Sequence, residues 1–225
     1  MKIYWQTLKE KYQPEPKGLP PIGSRVYKGF QGSGKTLSMV LYAKEYHREF
    51  PQALIFGNLP IDLDGYTYTK DIEKCCRVKN ADKGVLILID EAHLYFQKKG
   101  NLSIEMLGAI SQQRKNRRKI IFTTQIWEEL DISLRKQVKE IVNCQSFLRF
   151  FIRNTIYNGE TLTYDKLQGE YVADKTRSEF FKKTKELCSM FDTKLEIVRN
   201  TEQIKDWGRG ASPQSVPVLN IKLKN

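Results

Sequence analysis

Soft metal ligands are scarce in this chain. Its 225 residues include four cysteines and two histidines. Cys75 and Cys76 are adjacent, Cys144 and Cys188 stand alone, and no C-x-x-C pair occurs. That spacing excludes a cysteine zinc site and a disulfide framework, and points to reduced thiols in a cytoplasm. Long apolar runs are missing too: none approaches the roughly 18 residues that a membrane-crossing helix needs. The opening Met-Lys-Ile-Tyr-Trp-Gln has no secretory apolar region. Internal repeats are absent. Acidic residues are in deficit, 26 against 38 Lys and Arg, for a net charge of +12. This balance calls for a polyanionic partner, either nucleic acid or an anionic membrane surface. A 40% apolar share supplies a core, and the length suits one α/β domain with at most a small appendage.

Against these absences stands one complete motif. Gly29-Phe30-Gln31-Gly32-Ser33-Gly34-Lys35-Thr36 reads G-x-x-x-x-G-K-T. Glycines let successive backbone N–H groups turn inward and cradle phosphate oxygens. Lys35 reaches the β- and γ-phosphates of ATP, the Thr36 hydroxyl ligates Mg²⁺, and the next helix adds its positive dipole end. The context agrees: Arg25-Val26-Tyr27-Lys28 is strand-like, and Leu37, Val40, Leu41 and Tyr42 give a helix face.

A second signal lies downstream. Val85-Leu86-Ile87-Leu88-Ile89 is a strand apolar on both faces, as in a parallel sheet, and it ends in Asp90-Glu91. In a nucleotide hydrolase Asp90 holds Mg²⁺ through its water shell and Glu91 polarises the attacking water as general base.

The rest of the chain reads as an arm over 1–23, an ATPase core over 24–153, a hairpin and helical extension over 154–205, and a loose tail over 206–225. Within the core, strands are expected at about 24–29, 53–57, 85–90, 119–125 and 144–153. Helices are expected from the loop to Arg48, from Ser103 to Asn116 and from Glu128 to Val142, with an irregular excursion at 58–83. Asn158-Gly159 signals a hairpin between 155–157 and 161–164, and 176–191 suits a helix.

These stretches resemble the additional-strand class of P-loop ATPases, and within it the FtsK/HerA motors, above all Zot-like proteins of filamentous phages. The matching segments are Ile-Asp-Glu-Ala-His at 89–93, Ser-Gln-Gln-Arg at 111–114, and Thr-Thr-Gln at 123–125 followed by Leu-Asp-Ile-Ser-Leu-Arg at 130–135. The resemblance covers roughly residues 24–150. It implies an ATPase with a central, mostly parallel sheet, with Gln125 beside the γ-phosphate. It also implies a hexameric ring with DNA and phage or virus structural proteins as partners, and an arginine, Arg114 or Arg135, that reaches a neighbour's nucleotide. The chain departs at one point: Zot-like proteins usually carry a transmembrane segment after the ATPase domain. That departure leaves room for a soluble packaging motor acting in the host cytoplasm or peripherally at a membrane.

Several residues have plainer readings. Arg114 to Lys119 is a dense basic cluster that equally suits a solvated helix end. Arg114 shares a helical ridge with Leu107 and Ser111 and is expected near the packed face. His93 completes Asp-Glu-Ala-His, a helicase label, yet such helicases need two domains; a helix-supporting role fits better. Phe147, Phe150 and Phe151 read as core and edge packing, not as base stacking. Two functions compete: an ATP-driven motor that moves DNA, and an ATP-dependent assembly factor or switch acting on membrane-bound phage proteins without gripping DNA.

Overall fold

The computed structural model describes residues 18–96, 104–115, 117–148, 150–165 and 170–191. Most of the expected arm and all of the expected tail lie outside them, as does the Ser103 helix cap.

The strands are β1 (Gly23–Lys28), β2 (Leu54–Gly57), β3 (Tyr66–Tyr68), β4 (Val85–Ile89), β5 (Arg118–Thr124), β6 (Glu140–Phe147), β7 (Phe151–Asn158), β8 (Thr163–Asp165), β9 (Glu170–Val172) and β10 (Lys175–Lys182). Among them run helices α1 (Lys35–Glu49), α2 (Ile72–Cys75), α3 (Ile104–Ser111), α4 (Ile132–Arg135) and α5 (Lys185–Ser189). Eight strands form one sheet in the order β10-β7-β6-β1-β5-β4-β2-β3. Strands β6 through β3 in that order are parallel, and β7 and β10 add an antiparallel wing. Strand β5 separates β1 from β4, the arrangement of the additional-strand class. Strands β8 and β9 pair apart from the main sheet.

Burial explains the strand pattern. Every residue of β4 is fully buried, because layers cover both faces. On one side, Leu37, Met39, Val40 and Ala43 of α1 pack with Leu86, Leu88, Ile121 and Val142. On the other, Ile87, Ile89, Ile120 and Phe122 meet Ile72, Phe96, Trp127, Leu130 and Leu134. The phosphate loop follows β1 directly, so it sits at the carboxyl ends of the parallel strands, where open α/β sheets bind ligands.

The second half of the chain departs from the sequence pattern. The helix expected over 128–142 is a 3-10 turn (Trp127–Glu129) and the short α4, followed by β6. Asp131 caps α4 by accepting from Ser133 N at 2.7 Å, and the chain then pairs with β1. The single strand expected over 144–153 is two strands that turn at Leu148, whose φ is 49°. Asn158-Gly159 turns no hairpin. Asn158 accepts from Glu160 N at 3.0 Å in a 3-10 turn, and Gly159 is required by close packing, since a Cβ there would stand 2.0 Å from Val138 O. The helix expected over 176–191 is β10 followed by α5. Strand β7 runs through the expected boundary at 153/154, so the wing shares a sheet with the phosphate loop.

The basic cluster is also corrected in part. Arg118 is 1% exposed and donates to Val78 O at 2.9 Å. Buried Lys119 donates to Glu140 Oε2 at 3.0 Å. Arg25 of β1 grips the same carboxylate with two 3.0 Å bonds, and Arg177 approaches it at 3.7 Å. Burial alone would raise the Glu140 carboxyl, but Arg25 and Lys119 reverse this and hold it at about 2, against an ordinary 4.5. The cluster therefore ties β1, β5 and β6 together across their starts.

Removing Glu140 leaves two buried cations unpaired. Glu140→Ala is expected to lower the unfolding free energy by about 3–5 kcal/mol, measured by urea unfolding at neutral pH. Because the folded value is depressed, this contribution is present above about 4.5 and lost as pH falls through about 2. The gap between wild type and variant should close across that window.

Candidate functional site

The phosphate loop is shaped by lack of space as much as by its glycines' freedom. Gly34 ends the loop at φ 95° and precedes α1. A Cβ on Gly34 would lie 2.2 Å from Ile152 Cδ1 of β7, and one on Gly29 would lie 2.7 Å from Cys144 O of β6. The loop thus rests directly on the wing. Lys35, 5% exposed, donates from Nζ to Gly29 O at 3.0 Å and Phe30 O at 3.1 Å. That leaves its third N–H for a phosphate oxygen. Ser33 N closes a turn to Phe30 O at 3.1 Å, and Ser33 Oγ is buried without a partner. Gln31 and Gly32 are exposed, and Phe30 at the tip is 91% exposed.

Facing the loop is the end of β4. Asp90 Oδ1 accepts from Thr36 Oγ1 at 3.1 Å and from Thr123 Oγ1 at 2.6 Å. The Asp90 backbone is held on both sides by Asn58, whose Nδ2 donates to Asp90 O at 2.9 Å and whose Oδ1 accepts from Asp90 N at 2.7 Å. Burial pushes the Asp90 carboxyl up, opposed by the Thr123 bond. Glu91 then leaves the strand in the left-handed region, φ 50° and ψ 51°. Its backbone N donates to Thr123 Oγ1 at 2.9 Å. Its carboxylate lies between two side chains: Gln125 Nε2 donates to Oε1 at 3.3 Å, and His93 Nδ1 stands 3.2 Å from Oε2. His93, in the 3-10 turn Ala92–Leu94, is therefore set against Glu91 rather than supporting a helix.

The donor set suits a nucleotide with Mg²⁺. A hydroxyl and a carboxylate side by side are hard oxygen ligands, and Mg²⁺ needs only one or two such groups beside substrate phosphates. Among the described residues no cluster of three His, Cys, Asp or Glu side chains could hold a metal unaided. The unpartnered Ser33 hydroxyl and the remaining N–H of Lys35 aim polar atoms at the same loop.

The two candidate arginines lie elsewhere. Arg114 is exposed in the turn after α3, and so lies away from the packed face expected for it. It precedes β5, whereas Gln125 follows it; seven residues at about 3.3 Å each put roughly 20 Å of strand between them. Arg114 therefore sits at the sheet edge opposite its own phosphate loop. Arg135 is 9% exposed and donates to Tyr171 Oη at 3.0 Å, with its guanidinium 5.5 Å from that ring's centroid. It is held by the β8–β9 hairpin.

Two site residues escape sequence reasoning. Thr123 stands inside the Thr-Thr-Gln segment, but only strand pairing shows that its hydroxyl bridges Asp90 and Glu91. Asn58 follows β2 with no motif around it; its one signal is position, just past the carboxyl end of a parallel strand.

Comparison with known proteins adds three findings. Residues 59–182, more than half of the chain, match the profile of the zonular occludens toxin (Zot) family. The N-terminal domain of zonular occludens toxin from Neisseria meningitidis is similar in fold, with a TM-score of 0.51 and 18% identity over 76% of this chain and 98% of that one. The genome packaging NTPase B204 from Sulfolobus turreted icosahedral virus 2 aligns at a TM-score of 0.49 and 14% identity, over 68% of this chain and 96% of that one. No curated protein sequence matches.

Thr123 is expected to position both acidic groups. Thr123→Val keeps shape but removes the donor to Asp90 and the acceptor for Glu91 N. It should reduce ATP turnover at least tenfold, whereas Thr123→Ser should retain it. Steady-state phosphate release, with thermal melting alongside, checks this.

Proposed function

This chain belongs to the zonular occludens toxin family, and from that premise we propose that it is an ATP-hydrolysing motor that moves DNA during phage or virus assembly. The observation that carries the reading is the gathering of Lys35, Thr36, Asp90, Glu91 and Gln125 at one sheet edge, from three separate stretches of sequence. The net charge of +12 supports a polyanionic partner. No helix among the described residues is long and apolar enough to cross a membrane.

In this reading the loop N–H groups from Gly29 to Thr36 and the Lys35 ammonium hold the phosphates. Thr36 and Asp90 would hold Mg²⁺, which would supply positive charge against the phosphates. Glu91 accepts a proton from the attacking water. Gln125 fixes the Glu91 carboxylate, a contact that supports a role in reporting whether a γ-phosphate is present. Arg114 is too far from its own loop to act there, and its exposure suits a cation delivered to a neighbouring subunit's γ-phosphate in a ring. Arg135 is committed to Tyr171 and is the weaker donor.

Lys35→Ala should reduce hydrolysis to background. Glu91→Gln should keep ATP bound while slowing cleavage by about 10²–10⁴-fold; wild-type turnover would remove Glu91 from the role of base. Arg114 is tested by mixing. Lys35→Ala subunits that keep Arg114 should restore activity to Arg114→Ala subunits. If mixed rings form and activity never exceeds that of the two proteins apart, Arg114 does not act between subunits.

A further inference from the structure

The antiparallel wing has one covered face and one open face. Val142 and Cys144 of β6, Ile152 and Ile156 of β7, and Phe181 of β10 pack in the layer under α1. The intervening residues face the other way. Toward the phosphate-loop edge they are Gln145, Phe147, Phe151, Arg153, Phe180 and Lys182. Phe147 is 42% exposed, Phe151 37% and Phe180 62%, so of the core and edge packing expected for Phe147 and Phe151 the core part fails, while the two rings do pack on each other.

The rings form one continuous surface. Phe147 and Phe151 stack with centroids 5.5 Å apart and planes at 20°, and Phe180 meets Phe147 edge-on at 6.5 Å. The Arg153 guanidinium lies 5.7 Å from the Phe180 centroid, and its Nε is buried without a partner. Among the described residues of β6, β7 and β10, the alternation puts no carboxylate on this face. The wing's acidic residues on these strands, Glu140 and Glu179, lie on the covered side and are matched by Arg25, Lys119 and Arg177. At the far end Tyr157, Leu162 and Tyr171 close the face off; at the near end the hairpin tip, Leu148 and Phe150, extends it as exposed apolar surface.

We propose that this open face is a stacking platform for single-stranded nucleic acid. Exposed aromatic rings give bases of any identity a surface to stack on, extending the Phe147–Phe151 stack or adding to the free side of Phe180; Gln145, Arg153 and Lys182 suit the backbone, and no carboxylate of β6, β7 or β10 faces it. A duplex hides its base faces and gains only the charge. The platform is mechanically close to the nucleotide: Ile152, which braces Gly34, lies in sequence between Phe151 and Arg153. The inference rests on the reading of this chain as a DNA-moving ATPase, and it names the form of the strand and the surface that grips it.

The test is fluorescence anisotropy with a labelled thymidine oligonucleotide and a duplex of equal length, using the full chain with a non-hydrolysable ATP analogue. Single strand should bind more tightly than duplex. Phe180→Ala should weaken single-strand binding about 5- to 100-fold, with little effect on melting because the ring is exposed. Phe180→Trp should retain binding, and its added indole fluorescence should be quenched by the oligonucleotide. If wild type and Phe180→Ala bind single strand equally, the platform is overturned while the DNA-motor reading stands. If the wild type hydrolyses ATP but binds neither form, DNA leaves the proposed function and the platform falls with it. If Phe180→Ala changes the sedimentation of the protein but not its DNA affinity, the face is a contact between copies, which also overturns the proposal.

Discussion

The arrangement of the site depends on how one buried carboxylate is held. Asp90 is 5% exposed, and burial works against its charge. Thr36 and Thr123 donate to its side chain, while Asn58 clamps its backbone. These partners come from the start of α1, the end of β5 and the residue after β2. Asp90 therefore fixes the start of α1 against the sheet through its carboxylate and, with its backbone, registers the ends of β2, β4 and β5. A hydrogen-bonded ion in such a place is stabilising only while every partner is present, which makes the node a point of rigidity beside a loop that must admit a nucleotide.

Much of this was legible in the sequence because the signals are local. The loop motif, the apolar run of β4 and the Ile-Ile-Phe run of β5 each declare themselves within a few residues. The second half is different. Residues 128–142 have helical composition, yet pairing with β1 converts their end to strand and leaves a single turn of helix. Asn158-Gly159 carries a hairpin signature, but Gly159 is there for want of room beside Val138. Thr123 and Asn58 belong to the site only through strands that meet in space. Arg118 and Lys119 look like surface charge until β5 is inserted between β1 and β4, where Lys119 becomes a partner of Glu140.

The wing gives the sheet a division of labour. Its covered face carries the charge cluster and the braces for the phosphate loop; its open face carries exposed rings with Arg153 beside them. Because Ile152 and Cys144 touch the loop glycines, any shift of the loop on phosphate binding is felt by strands whose other side faces solvent. Strands β4 and β5, buried on both faces, have no such freedom. Motion driven by the nucleotide would pass most easily into the wing.

Glu91 holds a backbone conformation that costs a side-chain-bearing residue about 1–2 kcal/mol. Glycine would relax there at once, and asparagine nearly so. Any search for heat-resistant variants of this protein would be drawn to position 91, and each success would remove the carboxylate that the conformation serves to aim. With Glu91 in its proposed role as base, thermal robustness and turnover are set against each other at a single residue.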